Sequence, residues 1–328
     1  MSDAAPDIRL FAGRANPALA TKVADYLNVP LGRAEVVSFP DAEIIVKVMD
    51  DVRGKECYII QPTCAPAHEH LWELFVWIDC LKRASAGRVT AVMPYFGYAR
   101  QDRKDEGRVP ITAKLVANLL ERAGCDRVVS VDMHAAQVQG FFDIPVDHLT
   151  AGPVFGGWFE SLGMKGGEHG WVFVSPDVGN VKRAQMYADR HGGTLSIIDK
   201  RRHSGEVAEA VHIIGDVRDK TVVMVDDMIS TAGTVASAIK ILKNNGVRDI
   251  YMAATHGVFA GPAIERLAAC DFTQLAITDT VPHDAGRCAP IKDRLTVLSV
   301  APLLGEAIRR IHENRSVSAL FQKGSRPR

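Results

Sequence analysis

TVVMVDDMISTAGTVAS, residues 221–237, is the stretch that decides the fold. Its first five residues are apolar or β-branched, which predicts a strand buried on both faces. Asp226 and Asp227 follow, then the short loop 230–234, and then residues 235–243 with apolar side chains at helical spacing. This order of strand, acidic pair, small hydroxylated loop and helix predicts a phosphate-binding loop with sugar-binding carboxylates at its edge.

The loop suits a phosphate group because all its residues are small, so that the backbone can approach a ligand closely. Successive N–H groups at a helix start point at one place and favour an anion there. The hydroxyls of Ser230, Thr231 and Thr234 add hydrogen-bond donors. Gly233 tolerates unusual backbone dihedrals.

The acidic pair weighs against a simpler interpretation, in which the segment is only a capped helix after a core strand. Capping explains Ser230 or Thr231 alone, but it does not explain two adjacent acids at the carboxyl end of a strand. Ligands of open α/β sheets bind at that end. Carboxylates there accept hydrogen bonds from vicinal sugar hydroxyls or hold a divalent cation.

Length and composition indicate an ordinary globular chain. Its 328 residues predict two domains, and 47% of them are hydrophobic. Lys plus Arg equals Asp plus Glu, at 39 each, which argues against broad nucleic-acid or anionic-membrane binding but not against a local anion site. Six cysteines without metal-ligand spacing predict free thiols in a reducing cytoplasm. No apolar run reaches membrane-spanning length, and the polar start predicts no signal peptide.

Predicted strands and helices alternate along the whole chain, which favours a mainly parallel sheet with helices on both faces. RVVSVDMHAAQVQG, beginning at residue 127, echoes TVVMVDDMISTAGT, beginning at residue 221. We therefore expect two similar domains, residues 1–150 and 151–300. A C-terminal helix and tail, residues 301–328, is expected to pack on the N-terminal domain.

Three further polar segments follow predicted strands. In YFGYARQDRK, residues 95–104, aromatic rings can stack on a base and Arg100 can grip a polyphosphate, although a solvated loop is an equal alternative. Asp132 and His134 lie on the same side of an extended chain, where they would hold Mg²⁺ or polarise a phosphate oxygen; a structural histidine is the alternative. Residues 200–202, Lys-Arg-Arg, either form a solvated face or leave the strand in a mobile loop that closes over a triphosphate.

Several of these segments carry a resemblance to a known family. VDDMISTAGT resembles the ribose-5-phosphate-binding loop of the phosphoribosyltransferase-type fold, and residues 8–321 resemble the ribose-phosphate pyrophosphokinase family. The resemblance implies an α/β fold of two similar phosphoribosyltransferase-like domains, each a mainly parallel sheet flanked by helices. It implies transfer of the diphosphoryl group of ATP to the 1-hydroxyl of ribose 5-phosphate, with Mg²⁺ as cofactor. It also implies a cytoplasmic homo-oligomer, commonly a hexamer, with no nucleic-acid or membrane partner.

The resemblance also implies roles for individual residues. The catalytic residues would be Lys200 and Arg202. ATP would be bound by Asp41, Glu43, Arg100, Gln101 and His134. The metal would be held by Asp132, His134 and Asp177. Ribose 5-phosphate would be bound by Arg202, Asp226, Asp227, Ser230, Thr231, Ala232, Gly233 and Thr234.

Three features depart from the family pattern. Ala42 stands where glycine is usual and shifts the backbone if that position needs a positive φ. Ser230 stands where many members have Asp, so it keeps a phosphate donor and removes one negative charge. Residues 203–209 differ from the commonest bacterial loop, which is richer in Pro and Asn.

Two alternatives to a synthase stay open at this point. A phosphoribosyltransferase shares the phosphate loop but has no use for the residues on the ATP side. A non-catalytic regulatory relative should have lost charged residues of the set, whereas Lys200, Arg202, Asp226 and His134 are all present.

Overall fold

The computed structural model describes residues 8–164, 171–201 and 210–321. These residues divide into two compact units. The first contains residues 8–151, 280–282 and 299–321, and the second contains the described residues of 152–279 and 283–298. No helix in these ranges is both long enough and apolar enough to span a membrane.

Strands and helices mostly alternate along the described chain, with two runs of three successive strands. The strands are β1 (Ile8–Ala12), β2 (Ala34–Ser38), β3 (Ile44–Val48), β4 (Glu56–Ile60), β5 (Arg88–Met93), β6 (Arg127–Val131), β7 (Val146–Leu149), β8 (Trp171–Ser175), β9 (Thr194–Arg201), β10 (Ala210–Ile214), β11 (Thr221–Ile229), β12 (Asp249–Gly257), β13 (Gln274–Thr278) and β14 (Leu295–Leu298). The helices are α1 (Pro17–Leu27), α2 (Ala67–Arg83), α3 (Thr112–Ala123), α4 (Gly152–Ser161), α5 (Val181–His191), α6 (Gly233–Asn244), α7 (Ala263–Ala268), α8 (Ala285–Cys288) and α9 (Ala301–His312).

The first unit is built on a parallel sheet with the strand order β1-β4-β5-β6-β7. Every residue of β4 is buried, because helices cover both faces of such a sheet. Helix α9 belongs to this unit and lies against α1: the Tyr26 hydroxyl donates to Glu306 Oε2 at 3.4 Å, and the Arg309 guanidinium lies 5.1 Å from the Tyr26 ring centre.

An antiparallel hairpin, β2 with β3, projects from the first unit outside its main sheet. Val46 is buried, and the carbonyl of Val46 accepts a hydrogen bond from Cys80 Sγ of α2 at 3.5 Å. Val37 and Ile45 face each other across the two strands, and both are exposed. The hairpin therefore buries one side and offers an apolar surface on the other.

The second unit contains a sheet with the order β10-β9-β8-β11-β12-β13-β14. All neighbouring strands run parallel except β9 and β10, which are antiparallel. Strand β11 is central, and its first five residues are buried, as the apolar run predicts. The predicted fold class, two α/β domains with mainly parallel sheets, is confirmed.

Two strands are longer than their sequence patterns predict. Strand β11 continues past residue 225 to Ile229, so Asp226 and Asp227 lie within the strand and not after it. Strand β9 continues to Arg201, and Lys200 pairs with Val211 of β10. The prediction that Lys200 already lies in a loop is therefore wrong, because an antiparallel neighbour keeps its backbone extended.

Candidate functional site

The acidic pair lies where β11 runs alongside β12. Asp226 pairs with Ala254, and the ladder continues through Met228 and Ile229. Asp227 is only 6% exposed, whereas Asp226 is half-buried. Two acids at this depth need donors to compensate for lost water.

Burial and the neighbouring acid both act on Asp226. Burial, a side-chain hydrogen bond with Asp227 and repulsion from Asp227 raise the pKa of Asp226 well above its usual range. The backbone N–H of Asp227 donates to Asp226 Oδ1 at 2.9 Å and opposes this rise. The charge repulsion within the pair is therefore relieved either when Asp226 takes up a proton or when a ligand donates hydrogen bonds to the carboxylates.

One amide side chain, Asn180, and one basic side chain, Arg183, at the start of α5 contact the acidic pair. Asn180 Nδ2 donates to the Val225 carbonyl at 2.8 Å and lies 3.3 Å from Asp226 Oδ1. Arg183 Nη1 lies 3.7 Å from Asp227 Oδ1. The sequence did not predict these contacts, although Asn immediately before a helix is a typical N-terminal residue.

Asp177, a predicted metal ligand, lies beside the same helix start. Its Oδ1 accepts a hydrogen bond from the Asn180 backbone N–H at 3.0 Å, and its side chain is otherwise exposed. The structure therefore brings Asp177 and the acidic pair together through Asn180.

Residues 230–234 form a fixed turn between β11 and α6. The Ser230 carbonyl accepts from Ala260 N at 2.9 Å, and the Thr231 carbonyl accepts from Arg266 Nη1 at 2.9 Å. Thr231, Gly233 and Thr234 are exposed. Arg266 was not predicted to contribute, because it lies on α7, far along the chain.

Helix α6 begins at Gly233 without a side-chain cap hydrogen bond. Helix capping therefore does not account for the hydroxyl residues of the turn. The residue with a left-handed backbone is Ala232, with φ of 59°, and not Gly233, whose tolerance of such dihedrals is not used here. A Cβ at Gly233 would meet Arg266 Nη1 at an ordinary 3.6 Å, so packing among the described residues does not require a glycine there.

The cationic segment falls partly outside the described residues. Lys200 has its backbone in β9, and Arg202 lies outside the described residues. Their predicted catalytic roles stay predictions.

Residues 39–43 form a tight turn after β2. Phe39 N donates to the Glu43 carbonyl at 2.7 Å, and Glu43 N donates to Asp41 Oδ1 at 3.2 Å. Ala42 has φ of 70°, so this position does require the left-handed region. Asp41 and Glu43 are exposed. Two carboxylates are thus presented on a tight turn.

The loop after β5 packs more tightly than its composition suggests. Phe96 is 2% exposed and meets Phe142 edge-on at 6.1 Å, and Tyr98 packs against the same core. The prediction that an aromatic ring of this loop stacks on a base is therefore wrong for Phe96, whereas for the half-buried Tyr98 it stays a prediction. Arg100 is exposed, and Gln101 Oε1 accepts from the Thr112 hydroxyl at 2.5 Å at the start of α3.

Asp132 and His134 do not lie in an extended chain. Asp132 has φ of 38°, its N–H donates to the Leu149 carbonyl at 2.9 Å, and its Oδ2 accepts from Ala151 N at 2.9 Å. The argument from alternating side chains therefore fails here, because the chain bends at Asp132. His134 is exposed. Within the described ranges, no three or more His, Cys, Asp or Glu side chains form a group that could hold a metal ion.

These features define an α/β enzyme of the phosphoribosyltransferase-like class, with an acidic pair and a small hydroxylated turn at a strand's carboxyl end. The family profile described as the N-terminal domain of ribose phosphate pyrophosphokinase matches residues 8–124. The profile of the phosphoribosyl synthetase-associated domain matches residues 204–322.

Whole-chain relatives agree with the profiles. A ribose-phosphate pyrophosphokinase of Rhodopirellula baltica is 52% identical over 97% of this chain and 99% of its own length. One of Clostridium tetani is 50% identical over 96% and 97%. The crystal structure of phosphoribosylpyrophosphate synthetase from Mycobacterium smegmatis is similar to this structure, with a TM-score of 0.87. The match covers 94% of this chain and 99% of that one, and the two sequences are 43% identical. The chain belongs to the ribose-phosphate pyrophosphokinase family, as the sequence resemblance predicted.

Proposed function

We propose that the protein is a ribose-phosphate diphosphokinase, which makes phosphoribosyl pyrophosphate and AMP from ATP and ribose 5-phosphate for nucleotide biosynthesis. Its curated relatives bear the name of that activity over nearly their whole length. The observation that carries the proposal in this chain is the end of β11, where Asp226 and Asp227 precede the exposed turn 230–234 and the start of α6.

Ribose 5-phosphate is proposed to bind at this end of β11. The backbone N–H groups at the start of α6, with Ser230, Thr231 and Thr234, would bind the 5-phosphate. Asp226 and Asp227 would accept hydrogen bonds from the ribose hydroxyls, which compensates for the loss of water around the two acids. Arg202 would contribute a cation to the same substrate.

ATP is proposed to bind to the first unit. Asp41 and Glu43 present exposed carboxylates on a tight turn, where they can accept hydrogen bonds from an adenine amino group. Arg100 is exposed and can bind phosphate oxygens in a bidentate manner. Gln101 and His134 complete the proposed set.

The reaction then needs positioning and charge stabilisation more than covalent catalysis. The 1-hydroxyl oxygen of ribose 5-phosphate forms a bond to the β-phosphorus of ATP and loses its proton to solvent. The bond between that phosphorus and the bridging oxygen breaks, and AMP leaves. Lys200 and Arg202 are proposed to offset the charge that develops on the bridging oxygen. No covalent nucleophile is required.

Mg²⁺ is the proposed cofactor. It typically binds through one or two carboxylates together with phosphate oxygens and water, so a site needs no protein cluster of three ligands. In the second unit, the exposed carboxylate of Asp177 fits this pattern. In the first unit, Asp132 and His134 are also proposed to bind Mg²⁺, with the imidazole the weaker partner. When bound, the ion would neutralise negative charge on the polyphosphate.

We further propose a cytoplasmic homo-oligomer, with a hexamer as the form that the family resemblance implies. Support comes from the exposed apolar side of the β2–β3 hairpin, where Val37, Phe39, Ile45 and Met49 are each more than two-fifths exposed. A second copy of the chain is the simplest partner for such a surface. Light scattering of the purified protein tests the proposal, and a monomer at all concentrations would contradict it.

One assay tests the activity. The purified protein is incubated with ATP, Mg²⁺ and ribose 5-phosphate, and AMP and phosphoribosyl pyrophosphate are followed by phosphorus NMR. Both products should appear in equal amounts, and neither should appear without ribose 5-phosphate. Conversion of added phosphoribosyl pyrophosphate and a base to a nucleotide would instead indicate a phosphoribosyltransferase. Absence of any product would indicate a non-catalytic relative.

A further inference from the structure

Asn180 connects the groups at the end of β11 that the proposed function requires. It lies immediately before α5, with φ of −98° and ψ of 6°. Its backbone N–H donates to Asp177 Oδ1 at 3.0 Å, and its side-chain Nδ2 donates to the Val225 carbonyl at 2.8 Å. The same nitrogen lies 3.3 Å from Asp226 Oδ1. Asn180 thus contacts Asp177 through its backbone and Asp226 through its side chain.

The orientation of the Asn180 amide follows from its partners. The Val225 carbonyl can only accept a hydrogen bond, so the NH₂ group and not the amide oxygen must face it. The second N–H of that group is then available to Asp226 Oδ1. This oxygen also accepts from Asp227 N at 2.9 Å, so two donors hold the Asp226 carboxyl in one orientation.

The first turn of α5 also contacts the second acid, Asp227. Arg183, three residues after Asn180, places Nη1 at 3.7 Å from Asp227 Oδ1. The segment therefore presents an uncharged donor to Asp226 and a cation to Asp227. An uncharged donor directs a carboxyl oxygen without removing its ability to accept further hydrogen bonds from a ligand.

We propose that Asn180 is a positioning residue that orients Asp226 toward the 2-hydroxyl of the ribose. It thereby sets the preference for ribose 5-phosphate over 2-deoxyribose 5-phosphate. The inference rests on the proposed function of this site. The preference follows because a buried carboxyl that is aimed at a hydroxyl is left without its partner when the hydroxyl is missing.

The test compares Asn180→Ala and Asn180→Gly with the control Gln185→Ala. Gln185 is an exposed amide on the same helix, where its Nε2 donates to Asp189 at 2.6 Å. For both Asn180 variants, the KM for ribose 5-phosphate should rise about tenfold, and the ratio of kcat/KM for the ribose over the deoxyribose substrate should fall by a similar factor. The KM for ATP should stay within about twofold of wild type.

A binding measurement separates this inference from the proposed activity. The rise in melting temperature that ribose 5-phosphate alone produces should be present in wild type and in Gln185→Ala and much smaller in both Asn180 variants. If wild type forms no AMP, the proposed function fails, and this measurement still decides the role of Asn180.

Two results would overturn the inference. In the first, either Asn180 variant binds ribose 5-phosphate and rejects the deoxy substrate as wild type does. In the second, both KM values, kcat and the melting temperature without ligand change together, which indicates that Asn180 only stabilises the fold. Because alanine and glycine differ in backbone freedom but both lack the amide, agreement between the two variants assigns the effect to the side chain.

Discussion

Replacing Asp226 by Asn should stabilise the folded protein while it removes sugar binding. Asp226 carries a raised pKa because it is buried beside Asp227, so its ionised form costs free energy in the folded state. The amide of Asn has nearly the same shape and no charge. The variant should therefore unfold at a higher temperature than wild type wherever the wild-type carboxyl would be ionised in the unfolded chain.

The sign of the pH dependence follows from the direction of the pKa. The unfolded carboxyl loses its proton near its ordinary value of 3.8, whereas the folded carboxyl retains its proton to higher pH. Between these two values the folded state binds more protons than the unfolded state, so the wild-type free energy of unfolding falls as pH rises. The stability conferred by the proton is fully present below the unfolded value and is lost as pH passes the folded one.

The expected gain is moderate. Each tenfold change in an acid constant corresponds to about 1.4 kcal/mol. Because Asp226 is only partly buried and shares its interactions with Asp227, screening reduces the effect, and we expect about 2 kcal/mol in favour of Asp226→Asn at about pH 8 and little difference at about pH 4. Melting temperatures measured across this pH range provide the assay.

A matched variant separates charge at the site from charge in general. Asp189→Asn removes an exposed carboxylate on α5 outside the acidic pair, and its melting temperature should stay close to wild type at every pH. Asp226→Asn should also lose the stabilisation by ribose 5-phosphate, which Asp189→Asn should keep. An Asp226→Asn protein that melts below wild type at about pH 8 would refute the reasoning, because the carboxylate would then be net stabilising.

Three further outcomes are expected. Lys200→Ala should lower kcat by roughly 100- to 1,000-fold with an unchanged melting temperature, and a near-normal rate would exclude Lys200 as the catalytic cation. Ala42→Gly should stabilise the protein by about 1 kcal/mol in thermal unfolding, because alanine is strained at φ of 70°; a loss of stability would show that chain entropy dominates there. Glu73 is 1% exposed and accepts from Arg14 N and Nε at 2.8 Å each; because the remaining Arg14 side chain is 42% exposed and can be hydrated, Glu73→Ala should cost about 1–3 kcal/mol, and a variant that melts like wild type would contradict this.

The fold was predictable from the sequence because its signals are local. The apolar run at the start of β11, the apolar stripe of α2 and the proline that opens α1 each depend on neighbours within one element. The acidic pair and the turn after it could be found for the same reason. The ends of the strands could not, because each is fixed by a partner distant in sequence.

Strands β9 and β11 and the bend after β6 show this dependence on distant partners. The pairing of Lys200 with Val211 extends β9. The pairing of Asp226 with Ala254 continues β11 past the point where its two acidic residues predict that the strand ends. The bend at Asp132 is held by Leu149, the last residue of the next strand, and by Ala151, which follows that strand. None of these contacts is visible in a local pattern, and Asn180 and Arg266 were missed for the same reason.

The turn after β2 and the turn after β11 each contain an alanine in the left-handed backbone conformation. Ala42 and Ala232 take φ of 70° and 59°, which costs each about 1 kcal/mol relative to glycine. Such strain persists only where surrounding contacts over-determine the backbone. Ala42 N donates to the Phe39 carbonyl at 2.9 Å, while the turn around Ala232 is held through the Thr231 carbonyl by Arg266. The backbone N–H of Ala260 also donates to the Ser230 carbonyl at 2.9 Å, so these contacts fix the shape of the turn in the absence of a ligand. A turn that is fixed in advance suits a phosphate on the N–H groups at the start of α6, which is where we propose that the 5-phosphate binds.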